Sequence, residues 1–181
     1  MIAVLPHQAD AAWFACLGLP LAAGDLRDAA AYLAALGYPP STPIRGVPDW
    51  PAALALARDP AWDRRWWDEE QAERARLMRV AEQRLGRDAL LERLSAGTEL
   101  AGQAIHGAAA IAAAIANNGR DAVADAALVR AASGAASMAL NAATLARLAG
   151  QGPEHLFMRK YALFESGRWP LGVVGSAFHL F

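Results

Sequence analysis

The sequence predicts a mainly α protein: a single-domain helical bundle around an alanine-rich antiparallel helical hairpin, with a C-terminal β-hairpin. Three observations carry this. Thr98 to Gly150 is a long alanine-rich run in which polar residues recur at steps of three and four, the helical period. Asn117, Asn118 and Gly119 interrupt it near its middle, and Asn and Gly tolerate the left-handed backbone of a helix C-terminus. The last residues change character: Trp169 to Val174 and Ala177 to Phe181 read as strands separated by Gly175-Ser176, the signature of a type II′ hairpin turn.

The elements follow in order. Residues 1–97 hold the N-terminal helices and a proline-rich loop, 98–150 the central hairpin, and 153–181 a helix and the terminal β-hairpin. Gln8 to Leu17 reads as a short helix with Ala12, Trp13 and Cys16 on one face. Asp25 opens the next, with Leu26, Ala30, Leu33 and Ala34 inward and Gly37 closing it. Tyr38 to Pro48 holds four prolines and is expected to be an ordered, extended loop. Asp49 and Asp59 are each placed to cap a helix, Pro60 standing first in the second. Leu77, Met78, Ala81 and Leu85 form the inward stripe of that charged helix, and Gly86 breaks or kinks it.

In the central hairpin the expected apolar face is Leu100, Ile105, Ala108, Ile111, Ala112 and Ile115. The opposite stripe carries Glu99, Gln103 and His106. Paired about Gly119, it would meet Arg130, Ser133, Ser137 and Asn141. The first reading of these stripes is a solvated surface. Pro153 restarts helix, bringing Phe157, Tyr161 and Phe164 together. In the closing hairpin Val174 should face Ala177, Gly172 face His179, and Pro170 face Phe181.

Composition bounds function. The chain has 181 residues, 55% of them apolar, and a net charge of −1. That balance offers no basic face for nucleic acid. Cys16 is the only cysteine, so neither an internal disulfide nor a thiolate metal cluster is expected. The N-terminus lacks the pattern of a secretory leader. The run Ala104 to Ala116 is short of the about 20 residues that cross a bilayer. A cytoplasmic protein without membrane contact is the expectation, with membrane association through the alanine-rich helices as a third reading.

Catalytic signatures are missing from the sequence. There is no G-x-S-x-G elbow, phosphate loop or dinucleotide fingerprint, and the four histidines share no ligand spacing. Asp68, Glu69, Glu70 and Glu73 read as a solvated acidic face, so no metal or cofactor is expected. Trp62, Trp66 and Trp67 are interleaved with Arg64, Arg65, Asp68, Glu69 and Glu70. One helix stripe cannot bury all three tryptophans, and Trp and Arg are enriched at interfaces. These eight residues are the expected partner-binding surface. The function that follows is a non-enzymatic bacterial protein-binding domain, such as an immunity protein that neutralises a cognate toxin, or an adaptor. The alternative is a small-ligand-binding or enzymatic bundle with a polar site at Glu99, Gln103, His106, Arg130, Ser137 and Asn141, in which His106 is the candidate base.

Overall fold

The computed structural model describes residues 11–117 and 122–181. Among them are helices α1 (Ala23–Ala35), α2 (Trp50–Ala57), α3 (Arg64–Leu85), α4 (Arg87–Asn117), α5 (Ala122–Leu148) and α6 (Leu156–Glu165). Strands β1 (Ile44–Gly46), β2 (Pro170–Val174) and β3 (Ala177–Leu180) form one sheet in the order β1-β3-β2. The protein is therefore mainly α with a C-terminal β-hairpin. The turn at 118–119 and residues 8–10 of the expected first helix lie outside the described residues.

α4 and α5 pack along a seam of small side chains. Ala101, Ile105, Ala109 and Ala113 meet Leu128, Ala132, Ala136, Leu140 and Ala143, all buried. Alanine at every fourth position lets two backbones approach closely, and the helical period keeps that face continuous. At the other end, Leu90 and Leu94 of α4 join Leu77 and Ala81 of α3, Leu145 and Ala146 of α5, and Phe157 of α6. Gly86 separates α3 from α4 with φ 77°, a left-handed conformation that glycine adopts without penalty. α4 then runs unbroken through Gly97.

Several expectations are corrected. The expected helix before Leu17 is a set of turns, with Phe14 at φ 61°. Its amides are claimed by α6 and the chain beyond it: Ala12 N–H donates to Glu165 and Cys16 N–H to Gly167. In α1 the buried face is Asp25, Ala29, Tyr32 and Leu33, whereas Leu26, Ala30 and Ala34 are exposed. Two polar residues point inward there because each has a buried partner. α3 begins at Arg64, capped by Asp63, whose carboxylate accepts from Arg65 N–H at 2.9 Å. Asp59 instead closes a turn on Ala61 N–H. The intervening backbone is held by the sheet: Asp63 N–H donates to Val173, and Gly175 N–H to Ala61.

The proline-rich stretch contains β1, which lies parallel to β3 with Arg45 opposite His179. In the terminal hairpin Val174 faces Ala177 and Gly172 faces His179 as expected, but Pro170 faces Leu180. A bulge between Pro170 and Gly172 causes the shift. It divides the hairpin between two clusters: Trp169 and Phe181 pack with Trp13 and Phe14, while Val173, Phe178 and Leu180 pack against α1. Gly172 has φ 118°, and a Cβ there would stand 2.9 Å from Trp62 Nε1. Only glycine fits. Half-buried His179 is held below the usual imidazole range by burial and by the Arg45 charge.

The three tyrosines yield a solution test. Burial raises Tyr32, Tyr38 and Tyr161 above their ordinary range. The carboxylates of Glu70, Asp63 and Glu165, respectively, push them further. A phenol with a raised folded pKa contributes its full stability below the unfolded value, about pH 10, and loses it as the pH climbs past that value. Tyrosinate absorbance should therefore appear together with loss of helical circular dichroism in an alkaline titration. A smooth rise near pH 10 in a folded chain would contradict these burials.

Candidate recognition surface

α3 sorts its aromatic and charged residues by a simple rule. Its inward stripe, Leu77 and Ala81, extends back at steps of three and four through Glu73 to Glu70 and Trp66. Trp66 and Glu70 are accordingly buried, and Trp67, one residue further round, points outward. Trp66 donates its indole N–H to Tyr32 Oη at 2.7 Å, and that hydroxyl donates to Glu70 Oε1 at 2.5 Å. Lys160 of α6 holds both Glu70 oxygens at 2.9 and 2.6 Å and lies 4.6 Å from the centre of the Trp66 ring. Trp66 and Glu70 thus serve the interior and are not part of a contact surface. Trp62 is half-buried, edge-on to Trp66 with centroids 5.7 Å apart.

The remaining members of the expected surface reach solvent. Arg64, Arg65, Trp67, Asp68 and Glu69 are exposed. Arg64 pairs with Asp68 one turn on, and Arg65 stacks over the Tyr38 ring at 5.1 Å. Trp67 is 37% exposed and stands between two hollows. One, about 60 Å³, is walled by Trp67, Gln71, Arg74, Met138, Lys160 and Pro170 among others. The other, more open, lies between Trp67, Trp62, Arg58, Asp59 and Arg64. Met138, 50% exposed, belongs to this surface although its place on α5 reads as packing.

The alternative polar site is not assembled into a pocket. Glu99, Gln103, His106 and Arg130 are exposed, and Ser137 is half-buried. Asn141 turns to α3, accepting from Arg74 Nη2 at 2.7 Å. Glu73 and His155 form a ring-to-carboxylate contact at 2.8 Å. The Nδ1 of His155 accepts from Phe157 N–H and caps α6. Both ring nitrogens are therefore occupied. Hydrogen bonds from Arg76, with His155 second, hold Glu73 below the usual carboxylate range despite its partial burial. Among the described residues no three His, Cys, Asp or Glu side chains gather as a metal site.

No family model matches the chain, and no curated protein and no solved structure is similar to it.

Proposed function

We propose that this is a non-enzymatic protein-binding domain and that the surface around Trp67 and Met138 is where its partner docks. The observation that supports it is the pairing of two exposed apolar side chains, Trp67 and Met138, across one hollow, beside the exposed Arg64, Arg65, Asp68, Glu69 and Gln71 of α3. A large aromatic anchor with a polar, mixed-charge rim is the composition of a protein interface rather than of a catalytic cleft. Neutralising a toxin and bridging two proteins are both served by such a surface.

The test uses the full chain as bait in extracts of its native host. The protein recovered is then titrated by calorimetry against the parent, Trp67→Ala and Met138→Ser. Anchors of this kind contribute about 2 kcal/mol, so Trp67→Ala should raise Kd roughly thirtyfold. Its melting temperature should fall only modestly, since the side chain belongs to no core cluster and keeps 37% of its surface in water. Recovery of no partner, or equal affinity across the three proteins, would overturn the reading.

A further inference from the structure

Among the described residues, α4 leaves an apolar face exposed near its C-terminal end. Ile111 is 65% exposed and Ile115 72%, and Val123 at the start of α5 is 79% exposed. From Ala101 to Ala116 the helix carries no carboxylate, lysine or arginine. Its exposed arc has two edges. Ala104, Gly107, Ile111 and Ile115 form one, at steps of three and four, and Glu99, Gln103 and His106 form the other.

Two further facts bear on what covers this face. At 31 residues α4 is about 46 Å long, and by length and composition it is apolar enough to cross a bilayer. Core helices of water-soluble proteins often meet that standard, but they are buried, and only 24% of the most apolar stretch of α4 is. Beside it lies an apolar cleft of about 510 Å³ whose walls include Trp13, Phe14, Leu17 and Phe181 facing Ile111 and Ile115. The apolar surface thus continues from the helix into the cleft.

Charge separates this face from the one around Trp67. A protein interface has an apolar centre and a polar or charged rim, as the Trp67 surface does. The apolar edge of α4 carries no ionised group, and Asp49 is the one charged residue on the cleft wall among the described residues, a composition that matches hydrocarbon. Its polar edge supplies uncharged donors and one carboxylate at the depth of headgroups. We propose that α4 docks along the surface of a lipid bilayer, with Ile111 and Ile115 among the acyl chains and Gln103 and His106 at headgroup level. The expectation of no membrane contact rested on the shortness of Ala104 to Ala116 and on the weak apolarity of alanine; the rest of the helix adds the charged stretch Arg87 to Glu99.

Flotation of the purified full chain with phosphatidylcholine vesicles, and with vesicles that also contain phosphatidylserine, tests this. The chain should float with both and remain bound in high salt, because the contact is apolar. Ile111→Ser with Ile115→Ser should weaken partitioning roughly a hundredfold, since two isoleucine side chains no longer enter the acyl region. Both residues are exposed, so circular dichroism and Tm should not change. Trp67→Ala should float like the parent, which keeps this proposal separate from the protein-binding one. Failure to float with either vesicle overturns the proposal, as does equal flotation of the double variant. Binding only to the anionic vesicle that salt abolishes also overturns it. So does a dimer in light scattering that the double substitution splits, which would make a second copy the occupant.

Discussion

Replacing Arg168 by alanine is expected to remove about 3–5 kcal/mol of folding stability, a fall in Tm of roughly 10 °C. Arg168 is buried and spends all five of its N–H donors. Nε and Nη2 donate to Asp25 Oδ2 at 3.1 and 2.8 Å. Nη1 donates to the carbonyls of Cys16 and Leu19 at 2.5 and 2.8 Å, and Nη2 to that of Pro20 at 2.8 Å. One side chain after α6 thus fixes the connector before α1 and the first turn of α1 itself, where Asp25 also accepts from Ala22 N–H. Alanine would leave a buried carboxylate without a counter-charge and would take the arginine donors from three carbonyls, of which that of Cys16 still accepts from Leu19 N–H. Arg168→Lys keeps the charge but not the planar fork, so it should still lose about 1–3 kcal/mol through the unsatisfied carbonyls. Arg79, exposed on α3, is the control, and its alanine variant should stay within about 0.5 kcal/mol of the parent. Urea unfolding followed by circular dichroism reads all three. An Arg168→Ala protein as stable as the Arg79 control would show that the clamp contributes nothing.

That clamp also shows where the sequence stops being readable. Local chemistry is legible. Asp49 accepts from Ala52 N–H and caps α2. Gly37, Gly86 and Gly167 end helices in left-handed conformations, and Gly175 with Ser176 turns the terminal hairpin. Each of these depends on residues within one helical turn. The errors share a different cause, a polar side chain whose partner is far along the chain. Asp25 and Tyr32 place the α1 face one residue away from the apolar count because Arg168 and Glu70 await them inside. Glu70 reads as surface until Lys160 is seen ninety positions later. β1 is three residues long, too short for alternation to register, and its pairing with β3 spans most of the chain. On α4 the error runs the other way. Ile111 and Ile115 repeat at the helical step of four and so read as a packed face, but periodicity reports only that a face is apolar. Whether another helix lies over it depends on where the rest of the fold ends.

The buried pair of Glu70 and Lys160 carries the second large effect and links the interior to the proposed contact surface. Glu70→Ala should cost about 3–5 kcal/mol, because it strands the Lys160 ammonium at a site with little water and deprives the Tyr32 hydroxyl of its acceptor. Neither loss is a matter of volume, so the charge can be separated from the packing. Glu70→Gln keeps the shape and an oxygen for Tyr32 but turns an amide donor toward Lys160, and it should lose nearly as much. Adding Lys160→Met to Glu70→Gln removes the unpaired ammonium while leaving an aliphatic chain against Trp66. Neutral replacement of a buried ion pair is commonly tolerated, so the double variant should recover most of the loss. Trp66 fluorescence gives a local readout, since its ring faces the Lys160 ammonium and its N–H meets Tyr32. The same bonds join α3 to α1 and α6, and so fix the rotation of α3 that leaves Trp67 outside. Glu70→Gln should therefore weaken partner binding through loss of the folded population, and Glu70→Gln with Lys160→Met should restore stability but only part of the binding, because Lys160 also walls the hollow beside Trp67. If the double variant is no more stable than Glu70→Gln alone, the unpaired ammonium is not the source of the effect.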